Sequence, residues 1–588
     1  MMILSCAGNP DTADISLPEA VHEYQTSVEN VENAENIAPV PVTPPVVPPV
    51  IPPAQQHSVH PVAQPSAGGL ADEIRHLTET GVLSSMLRAI EIIRARDLGS
   101  SEFGRLMSGI SATLIRLIYP DSPTRLPVVD LPQISGYTRI IREAERGNYT
   151  RPSLDSTDFL EHVLPFLAVV NQDDDISISV LRDLEKAARL QPSSIIPLYF
   201  SGIFYQRAGR NSEAIASYEQ AYNKSNECYP AQINIARIRR LSGDTAAAIS
   251  ILAGLVVRYP DSMTVKRELA IAYYSQRDWS RALPAVDEIL RSEPRDGQFL
   301  LLRASILIEQ GQYTQANASL DTYASINAND RDYLYMRARV QFEGNRSRDS
   351  ALNYLRSILR TSPNDVQALV YTVTLLMESQ RQADQTEGRE LLTRLRQLAG
   401  SAIEVLNLSL RDAVRRENWR EAQGYVNQVL QTRRTNQDLT DAFNIERGLG
   451  NNARALAYAQ ELYQKDTANT EFTGIYVSAL IDNGRRDEAS TLLEARINSV
   501  PSGVIKGHYF YLRSRLQTNE DTALGDLRSS LFEDPRNLDA IIAMFMIYHN
   551  RREERRAVYY LRQALAISPD NPRLTRYVTE YASLLGRS

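Results

Sequence analysis

Residues 263–296 read MTVKRELAIAYYSQRDWSRALPAVDEILRSEPRD, and the pattern in this stretch decides the fold. Its apolar residues recur at the spacing of two consecutive amphipathic helices, which we name helix A and helix B. Small residues stand at Ala270 and Ala282, one in each predicted helix, and allow the two helices to approach closely. Pro294 follows helix B and stops it, because the residue before a proline avoids the helical conformation.

The pattern returns with a period of 34 residues along most of the chain. Alanines in helix B keep this period in two series, Ala214, Ala248, Ala282 and Ala316, and then Ala455, Ala489, Ala523 and Ala557. Prolines keep it at Pro192, Pro260 and Pro294, and again at Pro501, Pro535 and Pro569. Length alone would suggest about three or four globular domains. The period instead indicates one stacked array, because each helix pair has an apolar face that only a neighbouring pair can bury.

This pattern resembles the tetratricopeptide repeat family across residues 161–571, as Gly202, Tyr205, Gly209 and Ala214 show for one unit. The resemblance implies an all-α fold, an α-solenoid in which helix pairs form a right-handed superhelix. It divides the chain into twelve units: 161–194, 195–228, 229–262, 263–296, 297–330, 331–365, 366–402, 403–436, 437–469, 470–503, 504–537 and 538–571. The seventh unit is the least regular, because its segment 378–388 is stretched.

The segments on either side of the repeats lack the 34-residue phase. Residues 70–160 show helical spacing of apolar residues, and we expect an N-terminal cap or degenerate repeats there. A small separate helical bundle is the alternative. Residues 572–588 place apolar side chains at helical spacing and predict a C-terminal capping helix.

Residues 1–69 predict a disordered tether. The first 70 residues contain seven acids and no Lys or Arg, so they hold the whole net charge of −7. Residues 38–65 include ten prolines, which prevent helix and sheet and favour an extended polyproline II spacer. As an alternative, the prolines form a ligand for an SH3-like partner.

The start of the chain, MMILSCAG, resembles the lipobox of bacterial lipoproteins, with Cys6 as the residue that would be acylated. The charged region and most of the apolar region of a signal peptide are missing from this sequence. If translation begins at Met1, Cys6 is an ordinary exposed thiol. If it begins upstream, acyl chains on Cys6 would anchor the chain to a membrane without a transmembrane helix.

We find no motif for catalysis or for a cofactor. The sequence has no phosphate-binding Gly-rich loop, no His-Glu-x-x-His and no Cys-x-x-Cys. The pair His57 and His60 lacks further metal ligands, and we expect no metal or cofactor. The acidic balance disfavours nucleic-acid binding. A catalytic domain would have room only in residues 70–160, so we expect no enzyme.

Function is therefore expected on the inner face of the array. In the tetratricopeptide repeat family this face is lined by the second, fifth, ninth, twelfth and thirteenth positions of each unit. Matching positions here give a candidate peptide groove of Tyr199, Gln206, Arg207, Arg237, Arg240, Arg267, Tyr274, Tyr335, Arg339 and Phe342. Its arginines would suit an acidic or extended peptide with a carboxylate. The alternative is a solvated face, since 59 of the 64 basic residues of the chain are arginine.

One known ligand class fits poorly. The family's clamp for chaperone C-terminal tails uses Lys and Asn at fixed positions over consecutive helices. Asn234 matches one Asn position, but Ile203 stands at the first Asn position and Ile196 at the start. This departure disfavours chaperone-tail binding.

The leading interpretation is a non-enzymatic scaffold for protein–protein interaction, lipid-anchored in the bacterial cell envelope. It resembles bacterial lipoproteins that contain these repeats, and its partner would be a protein or peptide held in the groove. The alternative is a soluble cytoplasmic scaffold or regulator with a disordered tail.

Overall fold

The computed structural model describes residues 67–122, 126–127, 131–132, 135–153, 155–170 and 179–585, and the regular structure within these ranges is all helical. The predicted tether, with Cys6, lies outside the described residues except for residues 67–69. These three residues are already helical, so the first helix begins earlier than the expected boundary at residue 70. No described helix is both long and apolar enough to cross a bilayer.

Among the described residues, seven α-helices precede the regular array. They are α1 (Ala67–Glu79), α2 (Leu83–Ala95), α3 (Glu102–Ile118), α4 (Gly136–Glu145), α5 (Phe159–Val163), α6 (Leu167–Val170) and α7 (Ser179–Leu190). The unit expected at 161–194 therefore has a regular helix B, α7, but no continuous helix A. A 3₁₀ turn, Leu164–Phe166, separates α5 from α6. Pro165 lies in this turn, and its missing N–H prevents an uninterrupted α-helix.

The remaining units each contain two helices joined by a short turn. The pairs are α8 (Ile196–Arg207) and α9 (Asn211–Lys224), α10 (Tyr229–Leu241) and α11 (Thr245–Arg258), α12 (Met263–Ser275) and α13 (Trp279–Ser292), α14 (Gly297–Glu309) and α15 (Tyr313–Asn327), α16 (Arg331–Arg339) and α17 (Arg348–Thr361), α18 (Val366–Met377) and α19 (Gln382–Ala399), α20 (Ile403–Arg415) and α21 (Trp419–Thr432), α22 (Asn436–Gly448) and α23 (Asn452–Lys465), α24 (Thr470–Asp482) and α25 (Arg486–Ser499), α26 (Val504–Ser514) and α27 (Glu520–Glu533), and α28 (Leu538–Asn550) and α29 (Glu554–Ile567). Two short helices, α30 (Thr575–Glu580) and α31 (Ala582–Leu585), follow in the region expected to form one capping helix.

Local sequence sets the ends of these helices. The helices that precede the periodic prolines, α7, α11, α13, α25, α27 and α29, each end two residues before the proline. Many helices begin with a side-chain cap. The carboxylate of Asp296 accepts from the Phe299 amide at 3.1 Å at the start of α14. Such a cap satisfies an amide that has no partner within the helix.

Small residues bring helix A and helix B of one unit into close contact. A Cβ added at Gly202 in α8 would overlap the ring of Tyr218 in α9, and the Tyr218 side chain is fully buried. Ala236, Ala270 and Ala304 occupy the equivalent place in the next three units and are also fully buried. The small residues of the repeat are therefore places where helix A and helix B pack directly against each other.

Two units absorb extra residues inside helices. The unit 331–365 is one residue longer than the period, and Val340–Gly344 form a π-helical turn directly after α16. In this turn the Asn345 amide donates to the Val340 carbonyl at 3.3 Å, so one residue is added without ending the helix. In the unit 366–402, most of the stretched segment belongs to α19, which has 18 residues, against 14 in α11.

The chain divides into two compact units, Met1–Ile358 and Leu359–Ser588. In the first, helices α1–α7 share one apolar core with α8–α12, and further cores join α12 to α14 and α14 to α16. In the second, consecutive cores join neighbouring pairs from α18 to α31. Because each core draws on adjacent pairs, each unit is an all-α solenoid segment stabilised by its nearest neighbours.

Candidate functional site

The helix A residues predicted to line the inner face lie on α8, α10, α12 and α16 of the first compact unit, and none of them lies on α14. We call this surface the A-face, and it comprises positions 2, 5, 9, 12 and 13 of the five repeat units that contain α8, α10, α12, α14 and α16 with its π turn. The candidate groove residues are distributed as Tyr199, Gln206 and Arg207 on α8, Arg237 and Arg240 on α10, Arg267 and Tyr274 on α12, and Tyr335, Arg339 and Phe342 on α16 and its π turn.

The first contact along the A-face joins α8 to α10. The side-chain amide of Asn234 donates to the hydroxyl of Tyr199 at 3.3 Å. Within the α8–α9 pair, the hydroxyl of Tyr218 donates to the Oε1 atom of Gln206 at 3.0 Å. Tyr199 is buried, so this predicted groove residue packs between helices and offers little surface to a ligand.

Two predicted groove arginines share one carboxylate. Arg237 donates from Nη2 and Nε to Oε1 of Glu268 at 2.8 and 3.1 Å, and this pair joins α10 to α12. Arg240 approaches Oε2 of the same carboxylate at 3.9 Å. The Arg240 side chain is 9% exposed, and its Nε has no hydrogen-bond partner among the described residues. Burial lowers the pKa of Arg240, against the attraction of Glu268.

Arg267 is paired with carboxylates as well. Its guanidinium contacts Glu293, and its Nη2 lies 2.5 Å from Oδ2 of Asp296. The same guanidinium stands over the ring of Phe299, 5.1 Å from the centroid. This arginine fixes the connection between α13 and α14 from the neighbouring α12.

Further along, two contacts join α12, α14 and α16. The hydroxyls of Tyr274 and Ser305 are 2.8 Å apart, and burial raises the pKa of Tyr274. Arg339 donates to Glu309 at 2.5 Å and to Glu343 at 2.8 Å. Burial alone would lower the pKa of Arg339, but the two carboxylates outweigh it and raise the pKa above its ordinary value.

The remaining predicted residues also contact their own chain. Tyr335 is buried and has the guanidinium of Arg331 5.2 Å from its ring centroid. Phe342, in the π turn, has Arg348 at 5.7 Å. Arg207 is exposed and donates to the carbonyl of Val169 in α6. The candidate groove residues therefore act first as contacts between helices, and their role in binding a ligand stays a prediction.

Sequence reasoning missed the carboxylates that neutralise these arginines. Glu268 follows Arg237 by 31 residues, and Glu309 precedes Arg339 by 30 residues, so each partner lies on the adjacent helix A. A search for opposite charges about one repeat apart would have identified both pairs. We call the contacts between successive A helices the inter-repeat ladder.

The ladder recurs within the second compact unit. Arg447 of α22 lies 2.6 Å from Asp482 of α24, measured from Nε to Oδ2. Arg515, directly after α26, donates to the hydroxyl of Ser478 in α24 at 3.3 Å. Polar contacts between successive A helices are therefore a feature of both units.

The described residues contain no group of His, Cys, Asp and Glu side chains that would hold a metal ion. Cys228 is fully buried, and burial raises the pKa of its thiol to about 12. A protonated, buried thiol is a poor nucleophile at neutral pH, since the thiolate is the reactive form.

The sequence model of the tetratricopeptide repeat family matches residues 202–262 and 267–332, which run from the second half of α8 to the start of α16. Within these residues the chain carries tetratricopeptide repeats. Such repeats generally mediate protein–protein interactions, and the family match and the helix pairs together establish the α-solenoid fold. No curated protein sequence matches the chain.

Solved structures of repeat proteins also resemble parts of the chain. A thermophilic tetratricopeptide repeat protein from Thermus thermophilus is 20% identical, with 31% of this chain and 100% of that chain covered and a TM-score of 0.27. A tetratricopeptide repeat protein from Parabacteroides merdae is 12% identical, with coverage of 58% and 99% and a TM-score of 0.29. Yeast Tom70 is 13% identical, with coverage of 66% and 95% and a TM-score of 0.32.

Proposed function

We propose that this protein is a non-enzymatic scaffold that holds a protein or peptide partner on its A-face. The observation that supports this proposal is the continuous run of A helices, joined by the inter-repeat ladder, in the first compact unit. A surface fixed in this way loses little conformational entropy when a partner binds. Because its arginines already contact carboxylates, the partner need not be acidic.

A pair of matched substitutions tests the A-face. Gln298 lies at position 2 of α14 and is half-buried, whereas Gln315 lies exposed on the B helix α15. We expect Gln298→Trp to remove partner proteins from a pull-down with the full chain, because the indole obstructs the A-face. Gln315→Trp adds the same side chain on the other helix of the pair and should leave the partners unchanged. Equal partner profiles for both variants and the wild type would remove the A-face as the binding surface.

We further propose that the scaffold is anchored to a membrane of the bacterial cell envelope by acyl chains on Cys6. The support is the lipobox-like residues 3–6, followed by an acidic and proline-rich segment suited to a spacer. Acyl chains contribute about 0.8 kcal/mol per buried CH₂, so two or three chains anchor a protein firmly.

The mass of the native N-terminal peptide tests the anchor. We expect Cys6 as the modified first residue, and we expect Cys6→Ser to move the protein from the detergent phase to the aqueous phase. Substituting the buried Cys228 by Ser is the matched control and should leave the detergent partitioning intact. An unmodified peptide that begins at Met1 would contradict the anchor and favour a cytoplasmic scaffold.

A further inference from the structure

The start of the A-face is covered by the chain itself. At position 2 of the repeat units, the first two regular pairs carry Ile196 and Pro230, and both are buried. The next three pairs carry Thr264, Gln298 and Asp332, which are partly exposed. The change from apolar and buried to polar and accessible indicates that an apolar occupant covers this position only in the first two pairs.

The occupant is the segment formed by α1–α3 and residues 119–122, which we call the N-terminal module. The amide of Ile195 donates to the carbonyl of Thr80 at 2.9 Å. Gly81, at a φ of 71°, lies so close to Ile196 that an added Cβ would overlap its side chain. The buried ring of Tyr119 lies 6.1 Å from the ring of Tyr229, measured between centroids.

Two carboxylates bind the module to the repeats, one contributed by the repeats and one by the module. Glu227 of the repeats accepts from the amide and the hydroxyl of Ser84 at 3.0 and 2.9 Å, at the start of α2. Val82, at the N-cap position of that helix, makes no side-chain cap, so Glu227 supplies the missing acceptor. In return, Asp121 of the module accepts from the amide and the hydroxyl of Thr264 at 2.9 Å each, at the start of α12.

We propose that the N-terminal module is a resident ligand of the A-face, which closes the N-terminal ends of α8 and α10 to other proteins. At these helix ends, the A-face of the first compact unit is then open to a partner only beyond Thr264, on α12, α14 and α16. The consequence for partners rests on the proposed function, because it takes the A-face as the binding surface. The occupancy itself depends only on the reciprocal caps and the packing of Gly81 and Tyr119.

Cys228 reports whether the module is in place. It lies between Glu227, which caps α2, and Tyr229, which faces Tyr119, and its side chain is fully buried. In the full chain with Cys6→Ser, Cys228 is the one remaining thiol. We expect native-state labelling of Cys228 with a maleimide to be at least about a hundredfold slower than labelling of Gln298→Cys on the open part of the A-face, measured in a chain that also carries Cys228→Ser.

Removing both caps should release the module. We expect Asp121→Asn combined with Glu227→Gln to raise the labelling rate of Cys228 about tenfold, with the helical circular dichroism signal unchanged. Asp261→Asn, an exposed carboxylate in the same loop as Ser262, is the matched control and should leave the rate unaltered. If the double variant does not fold, Ser84→Ala removes one bond to Glu227 and should raise the rate by a smaller factor.

Two outcomes would overturn the proposal. One is labelling of Cys228 in the otherwise unaltered chain as fast as labelling of Gln298→Cys, because the module would then leave the face open. The other is an unchanged rate in a folded double variant, because the caps would then not hold the module. Neither measurement needs a partner, so a failed pull-down and a failed labelling experiment are distinguishable.

Discussion

At the scale of single residues, the repeat depends on small side chains that have a specific neighbour. Gly202 is the clearest case, since the Tyr218 ring occupies the space that a Cβ would need. The next units carry Ala at the same place and face smaller aliphatic side chains from helix B, such as Leu252 opposite Ala236 in the sequence register. The size of the residue in helix A is thus matched to the size of its partner in helix B.

This match reverses the usual effect of replacing glycine in a helix. We expect Gly202→Ala to lower the free energy of unfolding by about 1–3 kcal/mol, because overpacking displaces Tyr218. Gly254→Ala in α11, where an added Cβ meets nothing within 4 Å, should raise it by up to about 1 kcal/mol through helix propensity. Urea denaturation of both variants measures whether each substitution lowers or raises the free energy of unfolding. Stabilisation by Gly202→Ala would show that the close contact is not rigid.

A half-buried histidine makes stability depend on pH. Burial lowers the pKa of His508 in α26, so the unfolded chain binds a proton more readily than the folded chain. The free energy of unfolding therefore has its full value above about pH 6.5, the pKa of histidine in the unfolded chain. It decreases as the pH falls toward the lower pKa of His508 in the folded chain. We expect His508→Gln to reduce the loss of unfolding free energy between pH 7.5 and pH 5. Identical slopes for the variant and the wild type in urea denaturation would contradict this account.

At the scale of helices, neighbouring repeats are joined by polar contacts as well as by apolar cores. Glu268 is the central acceptor, because Arg237 and Arg240 both direct their guanidinium groups toward it. All three side chains are largely buried. Removing this carboxylate would take away the counter-charge that two largely buried cations share, and such a change is far more costly than the loss of a surface ion pair.

We expect Glu268→Gln to lower the free energy of unfolding by about 2–4 kcal/mol. Glu288→Gln is the matched control, because Glu288 pairs with Lys266 at 2.7 Å but is half exposed. Its loss should change stability by less than about 1 kcal/mol. Hydrogen exchange gives a second readout and should become faster in α10 and α12 for the first variant only. Equal effects of the two substitutions would show that the inter-repeat ladder adds nothing beyond surface charge.

At the scale of the whole molecule, the two compact units allow separate measurement. The chain has two tryptophans, and Trp279 begins α13 in the first unit whereas Trp419 begins α21 in the second. In a solenoid, stability is approximately a sum of repeat and nearest-neighbour contributions, so a local change need not affect a distant repeat. The fluorescence of each tryptophan therefore reports the unfolding of the compact unit that contains it.

We expect Glu268→Gln to lower the urea midpoint reported by Trp279 more than the midpoint reported by Trp419. The two signals are separated by measuring fluorescence in Trp419→Phe and Trp279→Phe chains. The reason is that Glu268 lies on α12, which pairs with the Trp279 helix α13, and its carboxylate binds Arg237 of the neighbouring α10. Equal shifts at both tryptophans would mean that the chain unfolds as one cooperative body.

The sequence by itself determined the repeated helix pairs, their period and the helix ends that the prolines set. Proline rigidity, helical spacing and small residues act over a few positions, so residues 263–296 already indicate a helix pair and a solenoid. The extra residues of the irregular units were visible as lengthened repeats, but their absorption into a π turn and a longer α19 was not. Continuing a helix keeps the apolar face in register with the neighbouring pair, and this register is set by packing.

Only the tertiary structure decided which residues of the A-face remain available. Arg237, Arg267 and Arg339 resemble ligand-binding residues when the sequence is considered alone, because their acidic partners come from neighbouring helices and from the connection between α13 and α14. Likewise, nothing local to Ser84 or Thr264 reveals that each helix start is capped by a carboxylate more than 140 residues away in the chain. Ion pairs and helix caps depend on distance in space, and that distance is fixed by the stacking of repeats.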